Sequence, residues 1–221
     1  MLTAAVTGAN RGIGLELCRL LCSRGYRVLA LCRHPTTALD TLGVQVESGI
    51  DVTSESDLRR LAEERLQKLK IDLLINNAGI LSIESFRALD FDSIRRQFEV
   101  NSLGPLRVTT TLLPYLTQNA KVAIVTSRMG SLSDNRSGGY YGYRMSMAAL
   151  NMAGLCLASD LKPLGIALAL LHPGYVRTDM TSQQGNVDAK DAACSLLARI
   201  DELTLETSGS FWHADGGRLR W

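Results

Sequence analysis

The sequence has almost no excess of one charge, since 24 basic and 22 acidic residues give a formal net charge of +2. These residues are mixed along the chain, so nothing suggests nucleic acid or an anionic membrane as a partner. Aromatic residues make up only 5%, and no repeat, low-complexity tract or linker divides the 221 residues. With 46% hydrophobic residues the chain can bury one sizeable core, and we expect a single domain over residues 1–221.

Long apolar segments and metal-binding patterns are also missing. The apolar run Met1–Val6 is broken by Gly8, far short of the length of a signal or membrane-spanning segment. The five cysteines are odd in number and show no Cys-x-x-Cys pattern or clustering with histidine. Because free cysteine packs as a small hydrophobic residue, we interpret them as reduced. We therefore predict a cytoplasmic protein with no bound metal.

Short apolar runs alternate with longer helical segments along the chain. This alternation predicts an α/β fold with a doubly wound, mostly parallel sheet of seven strands and helices on both faces. The predicted strands are Leu2–Val6, Tyr26–Cys32, Val44–Ile50, Asp72–Ile75, Val122–Thr126, Ile166–Leu171 and Ser210–His213. The predicted helices are Arg11–Arg24, Glu55–Lys68, Phe91–Leu116, Tyr140–Leu161 and Asp188–Leu203, the third of them strained around Gly104-Pro105.

A glycine-rich turn, Thr7-Gly-Ala-Asn-Arg-Gly-Ile-Gly14, joins the first predicted strand to the first helix. Its glycines allow a tight turn and let backbone N–H groups approach a pyrophosphate at the positive end of the helix. Structural strand-to-helix turns also use glycine, so the turn alone is weak evidence for a dinucleotide site. The remaining motifs of the chain decide between these two interpretations.

Further motifs occur in a fixed order along nearly the whole chain. They are Asp51-Val52 after the third strand, Asn76-Asn-Ala-Gly79 at the end of the fourth, Asn101 in Val-Asn-Ser-Leu-Gly104, Ser127 after the fifth strand, Tyr143 near the start of a helix, and Pro173-Gly174 to Thr178 after the sixth. Together with the glycine turn, they resemble the short-chain dehydrogenase/reductase family of single-domain Rossmann folds. The long loop Arg128–Gly139 and the sequence Tyr-x-Tyr-Arg-x-Ser resemble its sniffer and C-factor branch of carbonyl reductases.

The resemblance implies a nicotinamide dinucleotide along the carboxyl ends of the strands, where ligands of open α/β sheets collect. Asp51 and Val52 would hold adenine, the Asn77–Gly79 segment would line the adenosine side, and Pro173, Gly174 and Thr178 would surround the carboxamide. The full predicted cofactor set is Gly8, Asn10, Arg11, Gly12, Ile13, Gly14, Arg33, Asp51, Val52, Asn77, Ala78, Gly79, Tyr143, Pro173, Gly174, Val176 and Thr178.

Charge at the end of the second strand predicts which dinucleotide is bound. An acidic residue there would favour NAD, but the chain has Cys32-Arg33-His34, and Arg11 lies inside the glycine turn. Guanidinium groups bind phosphate bidentately, so Arg11 and Arg33 together predict the 2′-phosphate of NADP(H). The alternative is that both are solvated arginines that merely flank the turn.

The resemblance implies that Ser127 and Tyr143 bind a carbonyl oxygen, with Tyr143 as the general acid or base. Tyr140 and Tyr141 compete for that role, but Tyr143 precedes the Arg-Met-Ser-Met order of the branch. Asn101 resembles the family residue that holds a proton-relay water; otherwise it would be a helix kink. His172 and His213 more simply occupy structural positions at strand ends.

Met147 stands where the family has the lysine of Tyr-x-x-x-Lys. That lysine binds ribose, lowers the pKa of the tyrosine and passes protons, and a thioether does none of these. Reduction needs a neutral tyrosine, so we expect a slowed NADPH-dependent reductase of activated carbonyls. Arg144 or Arg128 could substitute for the lysine; the alternatives to an enzyme are a catalytically impaired NADP(H)-binding module, or an artificially introduced methionine.

The substrate side and the assembly state are less defined by the sequence. Only a short segment, Asp179–Val187, separates the sixth-strand motif from the last helix, so we predict an open pocket for a small carbonyl substrate. Small residues on one helix would allow close packing, and the resemblance implies that this helix contributes to a homodimer. The alternative is that it packs on its own sheet. These small residues are Ala148, Ala149, Ala153 and Gly154.

Overall fold

The computed structural model describes residues 1–67 and 69–221. Seven strands form the main sheet in the order β3-β2-β1-β4-β5-β6-β9, and every neighbouring pair is parallel. The predicted seven-stranded doubly wound sheet is therefore confirmed. The strands are β1 Thr3–Thr7, β2 Arg27–Leu31, β3 Gln45–Glu47, β4 Ile71–Asn76, β5 Leu116–Val125, β6 Ala167–His172 and β9 Ser210–His213. Two-residue strands β7 Val176–Arg177 and β8 Val187–Asp188 form a separate parallel pair.

Helices cover both faces of the main sheet. They are α1 Gly12–Ser23, α2 Thr37–Asp40, α3 Glu55–Arg65, α4 Phe91–Phe98, α5 Gly104–Leu112, α6 Tyr141–Leu161 and α7 Ala189–Glu202. Apolar residues of α1 and α7 pack on one face, and those of α3, α5 and α6 pack on the other. Burial on both faces explains why the central strands are apolar throughout rather than alternating. Among the described residues, no helix is both long and apolar enough to span a bilayer.

The strand order reverses at β1, which pairs with β2 on one side and β4 on the other. The loops after the carboxyl ends of β1 and β4 run to opposite faces of the sheet and open a crevice between them. The glycine turn after β1 and the segment after β4 lie at that crevice. The topology therefore brings distant sequence motifs to one edge of the sheet.

The prediction of one continuous helix over Phe91–Leu116 is wrong. After α4, residues Glu99–Leu103 form a π-helical turn, and α5 then ends at Leu112 before a 3-10 turn. The distortion lies just before the Gly104-Pro105 pair where strain was expected. Pro105 has no N–H, and in a regular helix its ring would meet the Asn101 carbonyl, so the helix widens ahead of it. The Asn101 side chain at this turn accepts from the Ile80 N–H at 2.8 Å and donates to the Ile80 carbonyl at 2.9 Å.

Several predicted boundaries also differ from the structure. Strand β5 begins at Leu116, well before the predicted Val122, because Leu116 pairs with Ile71 ahead of a register irregularity. Strand β3 is shorter than predicted, since only β2 pairs with it. Helix α3 ends at Arg65; its predicted end at Lys68 lies outside the described residues. Helix α2 and the β7 and β8 pair were not predicted.

Candidate active site

A cleft of about 450 Å³ opens at the carboxyl ends of β1, β2, β4 and β5. Most predicted site residues line it: Gly8, Asn10, Arg11, Gly12, Ile13, Arg33, Asp51, Val52, Asn77, Ala78, Gly79, Asn101, Tyr143, Met147, Pro173 and Thr178. They come from motifs spread along the whole chain, as the alternating sequence predicts. Both the glycine turn and the tyrosine turn therefore face one cavity.

The glycine turn packs so tightly that side chains would not fit. Gly8 has a φ of 64°, and a Cβ there would lie 2.9 Å from the Cα of Ala78. A Cβ at Gly14 would overlap the Gly8 carbonyl oxygen. The side chain of Asn77 fixes the same turn by donating to the carbonyls of Thr7 at 3.0 Å and Gly8 at 3.3 Å. The result is a wall of bare backbone at the start of α1, suited to a pyrophosphate.

Four predicted residues do not line the cleft: Gly14, Ser127, Gly174 and Val176. Gly14 packs beneath the turn, Val176 is buried in β7, and Gly174 faces Val187 and His213. Gly14, Gly174 and Val176 support the walls of the cleft, and their contact with a cofactor stays a prediction. Ser127 is buried beside the cleft, next to Tyr143.

The end of the cleft near Asp51 carries two guanidinium groups close to that carboxylate. Burial acts to raise the pKa of Asp51, but the net shift is downward, and hydrogen bonds from the Thr53 N–H and hydroxyl contribute to it. The positive charges of Arg33 and Arg96 lower the pKa further. Arg96 lies on α4 and was not among the predicted site residues, because an arginine on a polar helix face looks like an ordinary solvated residue.

Arg11 lines the cleft and also forms an ion pair across it. Its guanidinium lies 3.5 Å from the Asp179 carboxylate, so this exposed ion pair joins the glycine turn to the segment after β7. The methyl group of Thr178 lies 3.3 Å from where a Cβ of Gly12 would be. These contacts bring the two walls together over the start of α1.

Tyr143 lies near the start of α6, with its ring partly buried. Burial raises the pKa of Tyr143 above its ordinary value, and the neighbouring Ser127 hydroxyl opposes that rise. The Ser127 Oγ accepts a hydrogen bond from the Met129 N–H at 3.1 Å, which leaves the serine hydrogen available to another acceptor. The arrangement presents a neutral phenol and a hydroxyl donor side by side.

Neither Arg128 nor Arg144 occupies a position in which it could replace the missing lysine. Arg128 donates to Asp134 at 2.6 and 2.8 Å within the long loop, and Arg144 donates to Ser137 at 2.8 Å. Neither residue lines the cleft. Met147 itself is 4% exposed and lies on the cleft wall.

A model of the family described as short chain dehydrogenase matches residues 2–188. The chain belongs to the short-chain dehydrogenase family. Within this family it is 45% identical to 1-hydroxy-2-glutathionyl-2-methyl-3-butene dehydrogenase of Rhodococcus sp. (strain AD45), over 100% of both chains. It is 47% identical to C-signal of Myxococcus xanthus, over 68% of this chain and 93% of that protein.

Solved structures of family members superpose closely on the fold. Carbonyl reductase Sniffer of D. melanogaster matches with a TM-score of 0.91 at 27% identity, covering 100% of both chains. An NADPH-bound carbonyl reductase from chicken fatty liver matches with a TM-score of 0.90 at 28% identity, covering 99% of this chain and 98% of that one. The chain is therefore a short-chain oxidoreductase of the sniffer and C-factor branch, as its motifs predict.

Proposed function

We propose that the protein is an NADPH-dependent carbonyl reductase of activated carbonyls, such as quinones, α-dicarbonyls and reactive aldehydes or ketones. The observation that carries the proposal is Tyr143, a neutral phenol whose pKa burial raises further, on the cleft wall beside Ser127. A neutral phenol can donate a proton, which reduction requires, whereas alcohol oxidation requires the phenolate. Similarity to an NADPH-bound carbonyl reductase supports the same direction.

Bound NADPH would supply the hydride to the carbonyl carbon. The Ser127 hydroxyl donates a hydrogen bond to the carbonyl oxygen and fixes its position. Tyr143 Oη gives its proton to the same oxygen as negative charge develops, and solvent restores that proton afterwards. Without a neighbouring ammonium, forming the phenolate at pH 7 costs about 4 kcal/mol from an ordinary tyrosine pKa, so carbonyls that need little acid assistance are favoured.

The choice of NADPH rests on the positive charge at the adenine end. Arg33 and Arg96 both act on Asp51, and a 2′-phosphate placed there would meet two guanidinium groups. We expect Arg33→Asp to raise the KM for NADPH by at least about tenfold, since each charged hydrogen bond contributes about 1.5–3 kcal/mol, and to leave the KM for NADH nearly unchanged. Arg59→Asp reverses an exposed charge on α3 and is the control. An unchanged preference for NADPH in Arg33→Asp would contradict the role of Arg33 in NADPH binding.

The reaction is tested by following NADPH oxidation with a quinone and with an α-dicarbonyl. Loss of a general acid typically costs about 10²–10⁴-fold in rate, so we expect a fall of that size for Tyr143→Phe. Tyr26 lies just before β2, at the amino ends of the strands and away from the cleft. Tyr26→Phe therefore removes a hydroxyl without touching the cleft and should leave the rate unchanged. Equal activity in Tyr143→Phe and wild type would remove the tyrosine from the mechanism.

Two other functions remain in competition. The relative that is 45% identical over the whole chain is a dehydrogenase of a glutathione-conjugated alcohol, which favours oxidation of such a conjugate. Alcohol oxidation at neutral pH as fast as carbonyl reduction would support that function and refute the proposed direction. Intact NADPH binding with no turnover of any activated carbonyl would instead support a catalytically impaired binding module.

A further inference from the structure

Glu84 is a buried carboxylate that lies outside the cleft and contacts the N-terminus of α6. It is only 2% exposed, and a buried charge is tolerated only when hydrogen bonds satisfy it. Its carboxylate accepts from Gln97 Nε2 at 2.6 Å, Ser93 Oγ at 3.1 Å and the Gly142 N–H at 3.2 Å. Two of these donors belong to α4 and the third belongs to the first turn of α6.

Helix α6 has no cap of its own. Its N-cap residue, Tyr140, adopts a left-handed conformation with a φ of 51°, and its side chain forms no capping hydrogen bond. The first N–H groups of a helix need partners, and a negative charge there also interacts favourably with the helix dipole. Glu84 supplies both: its carboxylate accepts from Gly142, and its carbonyl accepts from the Tyr140 N–H at 2.9 Å.

Gln97 connects this cap to the rest of the site. Its Oε1 accepts from the Ser82 N–H at 3.0 Å while its Nε2 donates to Glu84, so α4 holds the segment that follows β4. A Cβ at Gly142 would overlap the Gln97 amide, so α6 contacts α4 closely at this point. The carboxylate thus lies where three elements of the site meet.

We propose that Glu84 is a positioning residue that fixes the first turn of α6 and, through it, Tyr143. Tyr143 directly follows Gly142, whose N–H is one of the groups that Glu84 binds. The inference rests on the proposed function, because that function gives Tyr143 its role as the acid. A displacement of about 1 Å at a reacting group can cost about 10²-fold in rate, so a cap that holds this turn controls turnover without touching substrate.

The experiment compares Glu84→Gln and Glu84→Asp with the wild-type protein. Glu84→Gln keeps the volume but replaces one acceptor oxygen by a donor, and Glu84→Asp keeps the charge but withdraws it from Gly142. We expect kcat for quinone reduction to fall at least about tenfold, with the Kd for NADPH changed by less than about twofold. Amide hydrogen exchange of the peptide Tyr140–Ser146 should rise in both variants.

Asp90→Ala is the matched control, because Asp90 caps α4 through the N–H groups of Asp92 and Ser93 and makes no hydrogen bond to α6. It should leave both kcat and exchange in α6 unchanged. Unchanged kcat and unchanged exchange in a folded Glu84 variant would overturn the inference, as would an equal rise of exchange in Asp90→Ala. If the wild type shows no turnover, faster exchange confined to the Glu84 variants still supports the cap, and only the proposed function fails.

Discussion

Met147 packs in the apolar cluster on the α6 face of the sheet, but polar side chains lie beside its sulfur. The Thr126 hydroxyl lies 3.8 Å from the Met147 sulfur and donates to Asn151 Oδ1 at 2.7 Å. Asn151 Nδ2 has no hydrogen-bond partner among the described residues, although it is buried. A hydroxyl, an amide and the cleft therefore lie at one side of this position, and that side can accept a polar group at the end of a long side chain.

We expect Met147→Lys to speed alcohol oxidation at pH 7. An ammonium beside Tyr143 would lower its pKa, and each unit of that fall raises the phenolate fraction about tenfold. Initial rates of NADP⁺ reduction with an alcohol at pH 7 and pH 9 measure the effect, which should be larger at pH 7. Met152→Lys, on the same helix but 62% exposed, controls for added charge. An unchanged rate ratio between the two pH values would contradict this account of the methionine.

At the scale of elements, the connection from β5 to α6 determines how the serine and the tyrosine face each other. Gly130, in the short turn after Ser127, contacts the backbone of Met147 on α6. A Cβ at Gly130 would lie 2.6 Å from the Met147 carbonyl carbon and 2.8 Å from its Cβ. Neither atom is the end of a flexible side chain, so the loop and the helix would have to separate.

Gly130→Ala should therefore destabilise the fold and misalign the site together. Overpacking of this kind costs about 1–3 kcal/mol, and we expect a matching fall in the free energy of unfolding by urea, with a lower kcat. Gly217→Ala is the control, since a Cβ there would meet only the exposed Asp215 carboxylate, at 3.2 Å. Equal stability of the two variants would show that α6 can move away without penalty.

Strands and cofactor motifs could be predicted from the sequence because their signals are local. Runs of apolar residues mark strands buried on both faces, and the glycine turn directly follows one of them. Strain at Gly104-Pro105 could be predicted, but the contact between Asn101 and Ile80 at the π-helical turn could not, since only the fold brings these residues together. Glu84 was missed for the same reason, because an acidic residue in a loop looks solvated until its donors are known.

The whole molecule should lose stability in mild acid because of one buried histidine. Burial lowers the pKa of His172 to about 3, with help from the charges of His213 and Arg128; Asp215 and Asp134 oppose the shift. The unfolded chain takes up this proton near pH 6.5 and the native state does not. The contribution of neutral His172 to the free energy of unfolding is therefore complete above about pH 6.5. It is lost towards pH 3, by about 1.4 kcal/mol per pH unit.

His172→Gln removes this titration and should flatten the decline. Urea unfolding at pH 7 and pH 5 measures it: we expect wild type to lose about 2 kcal/mol more than the variant between these values. His34→Gln, at an exposed position, should behave like wild type. An acid sensitivity in His172→Gln equal to that of wild type would assign the loss to other groups.

The position of β1 between β2 and β4 also affects how the chain folds. Ala4 of β1 pairs with Val28, which is close in the sequence, but on its other side it pairs with Leu73. The outer strand β9 pairs with β6 only through residues near 210. Parallel pairings between distant segments form slowly, because loop closure precedes any gain from contact. Until β4 arrives, β1 presents an unpaired apolar edge that can join another chain, so renaturation should succeed best in dilute solution.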